Sequence, residues 1–397
     1  MNITLYTLKS CIYDKFSCIA SACPYHCCQG WTIAIPDESY KKYIAYEGTL
    51  GEIARKFILY DEDIKAYRMA LGKHGTCPFC EENGLCKIII QEGEQDLSPV
   101  CTVFPRMKYL TSDTMEQGLS LGCPHVVELL YDIKTPLYFE KEEVTEDSWN
   151  DEITEDELHA IEFDLQIREL LRTLLQNRKY SMWYRLFSFI SVLEKINEAH
   201  QKQDEMTVFE LLNHFLQDNY LHEMQTYLLK SVQIDIHTKF ALITNLFETF
   251  IPDFLGLSGN CRDKVEKLIS AHREMTAECY HDIQCRLSES MTSGQMEILD
   301  EHIAVSDWFH NALLARNKDY LHANGITVVL VQILVNYMRV LSYKQYGAFR
   351  KEDEIFQISL AERLIMHAKD RGDRCIEQLK EKNMLSNAYM LMMLASC

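Results

Sequence analysis

Ten of the chain's 15 cysteines fall between Cys11 and Cys123, and thiols gathered this way can pair, pack or bind metal. They come in blocks. Cys18, Cys23, Cys27 and Cys28 form the first, in FSCIASACPYHCCQGW. Cys77, Cys80 and Cys86 form the second, in CPFCEENGLC, while Cys101 stands in CTVFPR and Cys123 in LGCP. Pro24, Pro78 and Pro124 each follow a cysteine directly. Iron–sulfur clusters are held by cysteine thiolates, often with a proline after one of them. A structural zinc site takes four donors, typically from two paired-cysteine knuckles. Cys77 and Cys80 make one such pair, and no second CxxC matches it. Adjacent Cys27 and Cys28 point different ways, which argues against both serving one ideally shaped site. The residues alone leave an iron–sulfur cluster, structural zinc and reduced packing cysteines open. His26, His74 and His125 lie near cysteines, where each is a ligand or an ordinary polar contact. Trp31 either shields a metal from water or fills a core.

Other chemistries lack their motifs. Cys23 and Cys27 have the first spacing of the radical-enzyme pattern CxxxCxxC, but Gly30 stands where its third cysteine would be. There is no GxGxxG, no Walker A sequence and no HExxH. No GxG occurs at all, so a doubly wound nucleotide site has no support. The formal net charge of −19 argues against a nucleic-acid partner, which calls for a basic surface.

These residues need elements to hold them. WTIAI (31–35) and CKIII (86–90) read as short strands between turns. DESYKKYIAY (37–46) and LGEIARKFILYDEDI (50–64) read as helices, the first capped by Asp37. In the stretch 140–157, ten of 18 residues are acidic, so a solvated linker is expected across 136–157. Thr154 and Glu157 there have capping-box spacing. Beyond it the pattern is helical. Ile167, Leu170, Leu171, Leu174 and Leu175 share one face, and similar segments run to the Met-rich end. The fold expected is mainly α: a small cysteine-rich α+β domain over 1–135, the linker, and an α-helical domain over 158–397.

The most apolar run, residues 325–341, is interrupted by Gln332, Asn336 and Arg339. It falls short of the roughly 18 uninterrupted residues of a spanning helix, so a buried helix is expected and no transmembrane segment. Peripheral membrane contact stays open. The start of the chain shows no secretory signal. A reducing, cytoplasmic setting is therefore expected, in which clustered cysteines bind metal more often than they pair.

FSCIASACPYHCCQGWTIAI, CPFCEENGLCKI, LSPVCTVFPR and LSLGCPHV come in the order seen in flagellin lysine-N-methylases, the FliB family. IRELLRTLLQNRKYSMWYRLF (167–187) is similar to the start of that family's helical region. The resemblance covers about the first third of the chain and extends more weakly beyond. It also touches broader iron- or zinc-chelating cysteine-rich domains.

The resemblance implies methyl transfer from S-adenosylmethionine to lysine side chains of flagellin, and a cysteine-bound 4Fe–4S cluster, with zinc as the alternative. It carries over Cys18, Cys23, Cys27, Cys28, Cys77, Cys86, Cys101 and Cys123 as metal ligands, with Cys23, Cys28, Cys86 and Cys101 as the first four. Cys11 and Cys80 do not match. Arg106 is the candidate contact to a cofactor carboxylate, against an ordinary structural salt bridge. No catalytic residue is assigned. Two other classes remain: a non-enzymatic metal-binding interaction module and an iron–sulfur redox protein.

Overall fold

The computed structural model describes residues 5–30, 33–62, 65–72, 75–111, 113–144, 155–202, 205–231, 233–290, 294–311, 320–366 and 369–395. Trp31, His74, Thr154 and the acidic residues 145–154 lie outside these. The first third carries two small sheets. Leu5–Ser10 (β1) precedes the first cysteine loop. Then come Ile33–Ile35 (β2), Asp37–Ala45 (α1), Gly48–Phe57 (α2) and a hairpin of Ile58–Asp61 (β3) and Ala66–Met69 (β4). These strands form an antiparallel sheet in the order β2-β4-β3. The second cysteine loop leads to Lys87–Glu92 (α3) and Pro99–Val103 (α4). Next are Arg106–Thr111 (β5), Thr114–Leu119 (β6), Pro124–Tyr131 (α5) and Phe139–Val144 (β7). The second sheet runs β5-β6-β1-β7, with β1 parallel to β6 and antiparallel to β7.

Several local expectations change. CKIII is helical, not extended. Cys86 stands at the N-cap of α3 without a side-chain cap hydrogen bond, and Gly93 ends the helix at φ +95°. That turn buries Ile88 in the smaller core and leaves Ile89 and Ile90 exposed, so tertiary packing outweighs β-branched propensity. The helix expected over 50–64 stops at Phe57, and β3 follows because Ile58 to Asp61 pair with β4. Asp37 is the first residue of α1 rather than its cap; Pro36 holds that position without a side-chain bond. Residues 139–144, read as linker, form an edge strand on β1. Lys141 lies over the ring of Tyr6, which suits charged residues on an edge.

Among the described residues, twelve helices follow. They are Glu155–Leu175 (α6), Met182–Gln201 (α7), Glu205–Phe215 (α8), Asp218–Ser231 (α9), Ile236–Leu257 (α10) and Arg262–Arg273 (α11). Then come Ala277–Ser290 (α12), Gln295–Asn311 (α13), Tyr320–Tyr346 (α14), Lys351–Ile365 (α15), Lys369–Glu381 (α16) and Asn387–Leu394 (α17). In α6, Ile167, Leu171, Leu174 and Leu175 are buried and Leu170 packs beside them, the face expected from their spacing. Two helices, α10 and α14, are long and apolar enough to cross a membrane. The apolar window of α14 is 89% buried within the protein, as for a central core helix. Its polar interruptions are paired: Gln332 donates to the Asp300 carbonyl, and Arg339 bridges Asp300 and Glu354.

One apolar core joins Tyr25, Leu121 and Val126 to Ile167, Trp308 and Val331. A smaller one, with Ile35, Tyr43, Leu50 and Phe79, lies under the β2-β4-β3 sheet. Arg168 of α6 joins the sheet to the helices. It grips the Glu116 carboxylate of β6 through two bonds of 2.6 Å.

Candidate metal centre

The two cysteine loops are held from several directions. The Cys28 carbonyl accepts the Cys77 N–H at 2.7 Å, and Gln29 bridges to Thr76. The backbones of Cys80 and Cys86 pair antiparallel, and the Phe79 carbonyl accepts the Lys87 N–H at 2.7 Å. From the helices, the buried Tyr25 hydroxyl donates to the Leu257 carbonyl at 2.7 Å. Gly30 is required at this approach: its φ is +87°, and a Cβ there would sit 2.2 Å from the Leu257 oxygen. Arg363 of α15 reaches across with its guanidinium. It donates to the carbonyls of Tyr25 (2.9 Å), Gly122 (2.8 Å), Gln29 (3.3 Å) and His26 (3.4 Å).

The three Cys-Pro steps share one device. Cys23, Cys77 and Cys123 each lie near the N–H of the residue two places on, Tyr25, Phe79 and His125, and Cys123 also near that of Val126. Proline between them has no N–H, so the next amide is the first that can approach the sulfur. These amides favour thiolate. Burial opposes them and wins, pushing Cys23 up to about 11 and Cys77 and Cys123 up to about 12. Burial also pushes Cys101 up to about 12, helped by the charges of Cys27, Cys77 and Cys86.

The thiols sort into groups. Cys27 acts electrostatically on Cys77, Cys86 and Cys101, and Cys80 acts on Cys77 and Cys86 as well, so these four thiols border the Cys28–Cys80 pair. Cys27 itself is drawn down to about 7, first by a hydrogen bond from Cys28 and then, against burial, by Arg363. Cys28 turns toward Cys80, with which it also hydrogen-bonds. His26, Cys28 and Cys80 bring their donor atoms within 4.8 Å of one another. Cys23 adjoins Cys18 and Cys123. Cys18 is exposed, and its sulfur accepts the Ala20 N–H.

Of the first four ligands named from the sequence, Cys86 and Cys101 lie in the four-thiol group, Cys28 with His26 and Cys80, and Cys23 beside Cys123. Grouping of His26 with Cys80 was not foreseen, although the CxxC of Cys77 and Cys80 pointed to that loop. Arg106, the candidate cofactor contact, donates to the Phe16 carbonyl at 3.1 Å and lies over the Phe16 ring. His125 meets Glu128 at 3.2 Å. Four largely buried thiols, of which Cys27 raises the pKa of the other three, suit a positively charged centre that takes thiolates, so the donor set fits a 4Fe–4S cluster. An open cleft of about 390 Å³ lies elsewhere, between α10 and α16, lined by Asn245, Glu248, Thr249, Gln378, Glu381 and Lys382.

A family model described as the FliB lysine N-methylase C-terminal domain matches residues 168–393, more than half of the chain. Lysine-N-methylase of Salmonella typhimurium is 29% identical over 140 residues, covering 34% of this chain and 35% of the relative. Flagellar biosynthetic protein FliU of Salmonella muenchen is 34% identical over 115 residues, covering 28% of this chain and 68% of that protein. The match thus spans about a third of the length of the S. typhimurium lysine-N-methylase. No solved structure matches. By the domain that fills its helical part, the chain belongs to the FliB lysine N-methylase family.

Proposed function

We propose that this chain is a protein-lysine N-methyltransferase acting on flagellin, using S-adenosylmethionine and a 4Fe–4S cluster. The observation that carries the reading is the FliB lysine N-methylase domain match over 168–393. The names of the relatives, a lysine-N-methylase and a flagellar biosynthetic protein, point to the substrate class.

In such a reaction the lone pair of a neutral lysine amine attacks the sulfonium methyl carbon. The C–N bond forms as the C–S bond breaks, and that electron pair returns to sulfur as S-adenosylhomocysteine leaves. Lysine ordinarily titrates near a pKa of about 10.4, so the ammonium must first lose its proton to a base or to a desolvated site. The chain's net charge of −19 draws lysine-bearing segments toward it, an attraction that salt weakens. Cys27, Cys77, Cys86 and Cys101 would hold the cluster, which supplies an iron centre when bound. Arg363 and Tyr25 fix the loop that carries Cys27.

The test is incubation of anaerobically purified protein with flagellin and methyl-labelled S-adenosylmethionine, read by mass spectrometry of flagellin lysines. Methyl groups on lysine that require the cofactor support the proposal. No incorporation by protein that carries full iron and sulfide would shift the assignment to a metal-binding interaction module. Reversible reduction in such protein would favour a redox role.

A further inference from the structure

We infer that His26, Cys28 and Cys80 form a second, mononuclear metal site of mixed nitrogen and sulfur donors, adjoining the four-thiol group and suited to a zinc-type divalent ion. One nitrogen and two sulfurs lie within 4.8 Å of one another, each on a partly buried side chain. His26 Nδ1 is buried and makes no hydrogen bond among the described residues, an arrangement that metal ligation would satisfy. Gly84 lies against the other edge of the ring, 3.4 Å from Cδ2 and 3.6 Å from Nε2 by its notional Cβ.

The backbone preorganises the three donors. The Cys28 carbonyl is tied to the Cys77 N–H, the Cys80 N–H to the Cys77 carbonyl, and the His26 carbonyl to Arg363. Adjacent Cys27 and Cys28 hydrogen-bond each other, and each has a further set of neighbours: Cys27 acts on Cys77, Cys86 and Cys101, and Cys28 reaches Cys80. Two thiolates and an imidazole suit a borderline-soft ion such as zinc. Three protein donors leave a fourth position for water or an incoming ligand, as in open zinc sites. On binding, Cys28 and Cys80 lose their protons to solvent, and Cys80 gives up its weak S–H contact to the Glu81 carbonyl.

The test uses the full chain purified without oxygen, stripped with a chelator and titrated with Zn²⁺ or Co²⁺. Metal content, the Co²⁺ absorption spectrum and zinc-edge X-ray absorption are the readouts, none of which needs methyl transfer. Failure here therefore leaves the methyltransferase proposal standing, and the reverse. We expect one ion with nitrogen and sulfur in its first shell, thiolate-to-cobalt charge transfer, and at least tenfold weaker binding in His26→Gln and Cys80→Ser. His26→Cys should keep the ion with an all-sulfur shell, and Cys101→Ser should keep the wild-type shell. Circular dichroism controls for folding. An all-sulfur shell in the wild type, no ion bound, or folded H26Q and C80S that bind as tightly as the wild type would each overturn the inference.

Discussion

The guanidinium of Arg363 lies 3.6 Å from the ring centroid of Tyr25 and donates at 2.9 Å to the carbonyl of the same residue. One side chain of α15 thus fixes both the ring and the backbone of the loop between Cys23 and Cys27. Its three other carbonyl partners extend that grip to Gln29 and to Gly122, the residue before Cys123.

Arg363→Ala leaves these carbonyls without donors in a buried setting. Charged hydrogen bonds contribute about 1.5–3 kcal/mol each, so two good ones place the loss at roughly 3–6 kcal/mol. Arg363→Lys keeps the charge but not the planar fork, and should fall between. Urea denaturation and iron per chain measure both effects. An Ala variant with the wild-type midpoint and full iron would mean that the loop does not depend on this contact.

Cysteines should divide by position. Cys18→Ser, at an exposed thiol outside both groups, should keep its iron. Cys86→Ser and Cys101→Ser should lose most of it, since a cluster site loses a ligand in each. Iron and acid-labile sulfide assays on the three variants decide this. Equal loss in all three would dissolve the grouping.

A pH effect follows from Asp307 of α13 and Glu362 of α15, which are buried against each other. Burial pushes Asp307 up to about 8; burial and the Asp307 charge push Glu362 well above the carboxylate range. Unfolded carboxyls titrate near 4, so above that pH the folded chain holds more protons than the unfolded one. This stabilisation is full below about pH 4 and drains as pH rises toward 8. Asp307→Asn removes one titration. Relative to the wild type it should gain up to about 1.4 kcal/mol per pH unit between pH 5 and 8. Denaturation midpoints across that window give the slope, and parallel curves for the two proteins would contradict it.

Gly118 of β6 admits the His310 ring: a Cβ there would sit 1.3 Å from His310 Cε1. Gly118→Ala should cost about 3 kcal/mol, the upper range for overpacking. Combining it with His310→Ala should recover part of that loss, a coupling of about 1–3 kcal/mol in a double-mutant cycle. Simple additivity would show that the ring moves away freely.

The helices were legible because their apolar residues keep a regular spacing, as in Ile167, Leu171 and Leu174. α14 was readable as core because Gln332 and Arg339 break an otherwise apolar run. Local misreadings arose where a tertiary partner decided the outcome. Burial of Ile88 in the smaller core went with a helix for CKIII, and β4 drew Ile58 to Asp61 out of one. At the site, the cysteine blocks could be read but not their grouping. Which way Cys28 faces depends on its carbonyl bond to Cys77, and the loop as a whole on Leu257 and Arg363. No spacing rule reaches across such separations.

Gln29 and Arg363 are separated by 334 residues of chain. At about 5–20 residues per second of synthesis, the first cysteines wait roughly tens of seconds before α15 emerges from the ribosome. The loop is made first and clamped last. Its thiols must pass that interval without their final shape, open to oxidation or to stray metal. Loading of any ion into the finished geometry is therefore an event that follows translation, and a message cut short before α15 would encode every one of these ten cysteines and still yield no finished site.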